Sequence, residues 1–252
     1  MKRLLYTCAT ALLLTATGVG CQQKVWQAQA SLGQTDLPVD STLTTDPEAE
    51  ALIAPYREQV SSKMSEVVGT APAELRKGDY ESPLGNFVVD LLLVQTSKLM
   101  NQPVDMAQTT NGGLRVPIPA GPVNMGNIFE LMPFENEVVL LTLDGQATKE
   151  LFDFAARTKI SPIANATYTV QNGQATNVKI GGKPLDLNRT YTIVTSDYLA
   201  GGGDNMVMFK KALKSEKVGM MMRDMIVKHI RELTAAGKPI QADPAKRVTV
   251  AP

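Results

Sequence analysis

The spacing of the apolar residues changes along this chain, and that change most constrains the fold it can form. Two stretches, 46–69 and 82–100, carry apolar residues three or four positions apart, which is typical of helices with one buried face. Between residues 167 and 196, short alternating runs are separated by Asn172-Gly173 and Gly181-Gly182, which is typical of strands and turns. Residues 217–236 return to helical spacing. The sequence therefore predicts a single α+β domain with mixed α/β layers over residues 46–252.

Local signals predict where several elements begin and end. Asp46 is a suitable helix cap, Pro47 suits a first helical turn, and Gly69 suits a helix end. Ser82 and Pro83 repeat the start signal for the second helix. The remaining predicted elements are strands at 104–109 and 138–143, a helix at 125–132 capped by Asn124, an Asp144-Gly145 turn and a helix at 146–157.

The N-terminus has the features of an export signal. Lys2 and Arg3 precede a short apolar run, and Gly18-Val19-Gly20-Cys21 resembles a bacterial lipobox. This predicts a lipoprotein signal peptide at 1–20, lipidation of Cys21 and a membrane-anchored protein that faces the periplasm. Cleavage at Ala28-Gln29-Ala30 is the alternative. The polar residues that follow predict a flexible tether at 21–45.

Composition excludes several partners and chemistries. Without Lys2 and Arg3 the chain has 23 basic and 25 acidic residues, a net charge of −2, so no nucleic-acid partner is expected. The cysteines are Cys8, inside the leader, and Cys21, and the one histidine is His229. These residues cannot form a Cys/His zinc site, and His229 is interpreted as a packing or surface residue. No cofactor and no metal are expected on this chain.

Three loops contain glycine or aromatic residues in patterns suited to ligand binding. They are Asn111-Gly112-Gly113-Leu114-Arg115, 131–136 with its Pro133-Phe134 pair, and Asp197-Tyr198 followed by Gly201-Gly202-Gly203-Asp204. Glycine lets backbone approach a ligand, aromatic rings stack on bases, and a carboxylate can accept two vicinal hydroxyls. For any one loop, turn formation and core packing explain the same residues.

Taken in this order, the loops resemble the C-terminal domain of the 5'-nucleotidase and UDP-sugar hydrolase family. The resemblance covers roughly residues 50–250 and includes the motif at 81–86, Glu-Ser-Pro-Leu-Gly-Asn. It implies that Phe134 and Tyr198 enclose the base and that Asp204 binds the ribose hydroxyls. It further implies that Arg115 helps to hold the nucleotide, with Gly112 and Gly113 giving backbone access and Asn111 nearby.

The sequence departs from the family pattern at two places. Thr110 occupies the position where relatives often have asparagine. Gly78-Asp79-Tyr80 stands where relatives often have a phosphate-binding arginine, and Arg76 and Lys77 are displaced from it. Weak phosphate affinity, and hence a nucleoside-like ligand, is therefore consistent with the sequence.

The resemblance also implies a partner, because the calcineurin-like metallophosphatase half of the family needs several metal-binding histidines and aspartates. The leading hypothesis is a split 5'-nucleotidase in nucleotide catabolism. This chain would recognise base and ribose, and a separate metallophosphatase would carry the divalent metals; the chain alone is not expected to be active. The alternatives are a stand-alone nucleoside- or nucleotide-binding lipoprotein, an interaction domain with a lost pocket, and an autonomous hydrolase.

Overall fold

The computed structural model describes residue 40 and residues 43–251, and these residues form an α+β fold as predicted. The predicted signal peptide at 1–20, Cys21 and most of the predicted tether lie outside the described residues. The helices are α1 Pro47–Met64, α2 Pro83–Met100, α3 Met125–Leu131, α4 Gly145–Thr158, α5 Asp197–Ala200 and α6 Met222–Ala235. Two 3₁₀ turns, Gly203–Asn205 and Val207–Lys211, follow α5.

The strands form three sheets within the described part of the chain. The strands are β1 Val67–Ala71, β2 Met106–Gln108, β3 Gly121–Asn124, β4 Glu137–Asp144, β5 Ile163–Ala164, β6 Ala166–Gln171, β7 Gln174–Ile180, β8 Lys183–Pro184, β9 Thr190–Ser196, β10 Lys214–Met221 and β11 Val248–Val250. β1 pairs with β3, a five-stranded sheet has the order β10-β4-β9-β2-β5, and a four-stranded sheet has the order β11-β6-β7-β8.

Strand β4 is buried on both faces, which explains its uninterrupted apolar run. Val138 and Leu140 belong to one core, which also contains residues of α2 and α6. Val139 and Leu141 belong to a second core, which contains residues of α4, β6 and β7. The five-stranded sheet therefore lies between a helical layer and a layer formed by α4 and the four-stranded sheet.

Three predicted helix starts agree with the structure. The Ser82 hydroxyl accepts a hydrogen bond from the Gly85 N–H at the start of α2. Asn124 forms a reciprocal capping box with Asn127 at the start of α3. Helix α1 begins at Pro47, as its start signal predicts. Asp144 caps α4 directly, so Gly145 is the first residue of that helix rather than part of a separate turn.

The predicted end of α1 and its predicted burial are wrong. The helix ends at Met64, and Gly69 lies in β1, where a Cβ atom would come within 2.7 Å of Ile230 Cγ2. No residue of α1 is buried, and Leu52 and Tyr56 are 71% and 67% exposed. Pairing of β1 with β3 decides this boundary, and no signal near Gly69 in the sequence reports that distant contact.

The predicted helix over 217–236 is correct only in its second part. Lys214–Met221 is strand β10, which pairs antiparallel with β4, and α6 begins at Met222. The apolar residues that follow Lys217 suit either a strand or a helix. Hydrogen bonding to β4, more than 70 residues earlier, selects the strand.

His229 is a packing residue, as interpreted from the sequence. Its ring lies edge-on to Phe87 with centroids 5.9 Å apart, and Gln95 Nε2 is 3.1 Å from His229 Nδ1. Burial lowers the pKa of His229 below its ordinary value, although the Glu232 carboxylate acts in the opposite direction. The Gln95 amide also donates to Glu232, so it favours a neutral imidazole that accepts at Nδ1.

This lowered pKa predicts a pH-dependent loss of stability. As the pH falls through about 6.5, unfolded chains bind a proton at His229 that the folded protein binds only at lower pH. We expect the free energy of unfolding to decrease between about pH 7.5 and about pH 5, and to decrease less in His229→Gln. Urea titrations at each pH test this, and identical slopes for both proteins would contradict it.

Candidate functional site

Strand pairing brings the three predicted loops to one edge of the five-stranded sheet. β2 and β9 are parallel, with Ala107 opposite Val194, so both strands end at that edge. β4 is antiparallel to β9, with Val138 opposite Ser196, so it begins there. Residues 109–115 follow β2, residues 197–204 follow β9, and residues 132–136 precede β4.

A cavity of about 310 Å³ lies between these loops. Its volume is at the lower end of the range of about 300–1,000 Å³ that is typical of small-molecule sites. Met132, Leu199 and Met222 contribute apolar surface to its wall. Six of the seven predicted substrate-binding residues also line it: Gly112, Gly113, Arg115, Phe134, Tyr198 and Asp204.

Asp204 is held by hydroxyl groups from two of the loops. The Thr110 hydroxyl donates to Asp204 Oδ2, and the Tyr198 hydroxyl donates to Oδ1 at 3.0 Å. The backbone of Asp204 is left-handed, with φ of 50°, a conformation that aspartate tolerates better than most residues. Two carboxylate oxygens offer about four acceptor positions, so Asp204 retains capacity for two further donors.

Two glycines make this arrangement possible because a side chain would occupy the space that they leave. A Cβ atom on Gly203 would lie 2.4 Å from the Tyr198 ring, and one on Gly112 would lie 2.9 Å from Asp204 Oδ2. The glycines therefore allow close packing of Tyr198 and Asp204. This role differs from backbone access to a ligand, which the resemblance implied for Gly112 and Gly113.

Phe134 and Tyr198 are aromatic residues that remain accessible on the cavity wall. Their exposed fractions are 41% and 52%, although both line the cavity. Both rings therefore present accessible apolar surface beside the cavity, which suits contact with a flat ligand. The Arg115 guanidinium lies 5.9 Å from the Phe134 ring centroid, and its Nη1 donates to Gly112 O at 3.2 Å.

Asn111 is placed away from the cavity wall. Its side-chain amide donates to Gly78 O at 2.8 Å, and its backbone N–H donates to Ile160 O at 2.8 Å. Lys77 donates from Nζ to Leu114 O and Asn111 O, at 2.9 and 3.3 Å. These contacts stabilise the loop and involve residues that do not line the cavity. A ligand contact for Asn111 stays a prediction.

Thr110 is one of the cavity residues that were not among the predicted site residues. It is buried, lines the cavity and contacts Asp204 directly. The available signal was its position in the family motif, where relatives often have a polar amide. Its hydroxyl provides a single donor at the same place.

Among the described residues, no group of three or more histidine, cysteine, aspartate or glutamate side chains could hold a metal ion. Across that same part of the chain, none of the helices has both the length and the apolar character needed to cross a membrane.

The strand topology defines an α+β domain with a cavity at one edge of its central sheet. This chain belongs to the 5'-nucleotidase C-terminal domain family, whose model matches residues 65–211. The matched residues include all three loops of the site.

Known relatives agree with this assignment. The chain is 27% identical to protein UshA of Yersinia enterocolitica, over 64% of this chain and 30% of that protein. It is 28% identical to a 5'-nucleotidase of Vibrio vulnificus, over 66% of this chain and 31% of that protein. The crystal structure of a 5'-nucleotidase precursor from Thermus thermophilus aligns with a TM-score of 0.69 and 26% identity, covering 80% of this chain and 42% of that one. The match thus spans about three tenths of the length of these curated relatives.

Proposed function

We propose that this chain recognises the base and ribose of a nucleoside or nucleotide in nucleotide catabolism. One observation carries the proposal: two accessible aromatic rings, Phe134 and Tyr198, line the same cavity as Asp204. The rings supply stacking surface for a base. The carboxylate has acceptor capacity for the two ribose hydroxyls.

Replacing Phe134 with alanine is expected to weaken nucleoside binding by about 1–3 kcal/mol, because a base then loses one stacking surface. Calorimetric titration of the full-length chain with adenosine, guanosine, cytidine and uridine measures this. Phe129→Ala is a matched control, since Phe129 is similarly exposed, at 37%, and lies outside the cavity lining, against Arg223. Equal losses in both variants would argue against a stacking site at Phe134.

We further propose that a separately encoded calcineurin-like metallophosphatase supplies the metal chemistry. A two-metal site activates water and stabilises the transferred phosphoryl group, and such sites need several histidine and carboxylate ligands. The sequence has one histidine, His229, and its ring is packed between Gln95 and Phe87. In the complex, this chain would hold the nucleoside part of the substrate while the partner hydrolyses the phosphate ester.

The same proposal includes export and anchoring of this chain at the periplasmic face of a membrane through a lipidated Cys21. Cell fractionation tests the anchor and the partner together. We expect both this chain and the metallophosphatase to sediment with membranes, and Cys21→Ala to move both into the soluble fraction. If the distribution of the metallophosphatase does not depend on Cys21, and if the metallophosphatase never co-purifies with this chain, the split-enzyme proposal is contradicted. That result would favour a stand-alone binding lipoprotein.

A further inference from the structure

The two hydroxyl groups that hold Asp204 come from the ends of neighbouring strands. Thr110 follows β2, and Tyr198 lies in α5, which follows β9. The direction of the Asp204 carboxylate therefore depends on how closely these two strand ends are held relative to each other. A buried group that links the strand ends would orient Asp204 without touching a ligand.

Gln108, the last residue of β2, makes such a link and is fully buried. Its Oε1 accepts a hydrogen bond from the Thr195 hydroxyl of β9 at 3.2 Å. Its Nε2 donates to Thr109 O at 2.5 Å and to Ser161 Oγ at 2.7 Å. Both donors and the acceptor of the amide are thus used, so the orientation of the amide is fixed. Gln108 itself does not line the cavity.

One of these hydrogen bonds leads to the first loop of the site. Thr109 O belongs to the peptide group that joins Thr109 to Thr110, so the bond from Gln108 holds the plane of that peptide group. The Ser161 hydroxyl also donates to Thr109 O, at 3.4 Å. The Thr110 side chain, which donates to Asp204, is therefore presented by a peptide group that the buried amide anchors.

The hydrogen bond from Thr195 leads to the third loop. Thr195 is followed by Ser196, whose hydroxyl accepts from the Leu199 N–H and caps α5. Tyr198, which lies in α5, provides the second hydroxyl to Asp204. The Gln108 amide thus connects both loops that hold the carboxylate.

We infer that Gln108 is a positioning residue for recognition of the ribose, because it holds together the two loops that orient Asp204. The inference rests on the proposed function and deepens it. Loss of the Gln108 amide should disturb the contact of Asp204 with the ribose hydroxyls more than it disturbs stacking of the base on Phe134. A buried residue with a purely structural role would affect both contacts alike or neither of them.

The test compares ribonucleosides with their 2'-deoxy counterparts by calorimetric titration of the full-length chain. The compounds are adenosine, guanosine, cytidine, uridine and the four 2'-deoxynucleosides. Gln108→Leu removes all three hydrogen bonds of the amide while keeping a side chain of similar size. We expect it to lower the ratio of ribonucleoside to 2'-deoxynucleoside affinity by about fivefold to tenfold, the loss expected for one hydrogen bond to a charged acceptor.

Thr195→Val is a second variant, which keeps the shape of the side chain and removes only the link to β9. We expect it to lower the same ratio by about threefold, as for one neutral hydrogen bond. It carries the test if Gln108→Leu does not fold.

Gln95→Leu is the matched control. Gln95 is also a fully buried glutamine, but its amide bonds to His229 and Glu232 and it does not line the cavity. Its replacement removes a buried amide of the same kind and should reduce stability to urea. The ratio of ribonucleoside to 2'-deoxynucleoside affinity should stay at the wild-type value.

The outcomes separate this inference from the proposed function. An unchanged ratio in folded Gln108→Leu and Thr195→Val, or an equal fall in Gln95→Leu, would overturn the inference and leave nucleoside recognition standing. A wild-type protein that binds nucleosides without regard to the 2'-hydroxyl would also overturn it, because no ribose contact would remain for Gln108 to orient. A chain that binds none of the eight compounds would remove the proposed function, and the inference with it.

Discussion

Asp204→Ala is expected to lower the affinity for the tightest-binding nucleoside by about 3 kcal/mol, roughly a hundredfold, as measured by calorimetric titration. The wild-type carboxylate has capacity for two additional hydrogen bonds beside those from Thr110 and Tyr198. Hydrogen bonds to a charged acceptor contribute about 1.5–3 kcal/mol each. Alanine removes the acceptor and leaves both protein hydroxyls without their partner.

Two comparisons distinguish lost ribose contacts from a distorted loop. Asp204→Asn preserves a residue that tolerates the left-handed backbone, so its thermal stability should stay close to that of the wild type. The wild-type protein should prefer the ribonucleoside to its 2'-deoxy counterpart, and Asp204→Ala should lose this preference. A wild-type protein indifferent to the 2'-hydroxyl would show that Asp204 does not bind the ribose.

Gly145→Ala is expected to reduce the free energy of unfolding by about 3 kcal/mol, the upper part of the range for overpacked positions. A Cβ atom on Gly145 would lie 2.5 Å from Leu187 Cα and 2.6 Å from Asp186 O. These are backbone atoms of the connection between β8 and β9, so relief requires movement of the chain or of α4. Urea denaturation measures the loss.

Gly78→Ala is the matched control for this substitution. Its Cβ atom would meet Ser82 Cβ at 3.5 Å, an ordinary contact, and Gly78 has no left-handed backbone. We expect its stability to remain within about 0.5 kcal/mol of the wild type, as for most surface changes. Comparable losses at both positions would mean that generic glycine replacement, and not the contact of α4 with Leu187, causes the effect.

Several elements could be predicted because their signals are local. Ser82 with Pro83 marks the start of α2, and Asn124 marks the start of α3, since each cap contacts N–H groups within three residues. The turn at Asn172-Gly173 separates β6 from β7 for the same reason. The loop motifs were sufficient to indicate the family and six residues of the cavity wall.

Other features depended on contacts between distant residues. Strand pairing placed β10 beside β4 and ended α1 before Gly69, and neither contact leaves a sign in the neighbouring sequence. Tertiary packing also directed Asn111 toward Gly78 and placed Thr110 against Asp204.

The class of fold, the helix caps and the residue types of the three cavity loops could be predicted from the sequence alone, because their signals lie within a few neighbouring residues. That the three loops share one cavity is a property of the folded molecule. The parallel pairing of β2 with β9, and the antiparallel pairing of β4, bring residues about 90 positions apart to the same sheet edge. Backbone hydrogen bonding between distant strands thus built the site from motifs that were separate in the sequence.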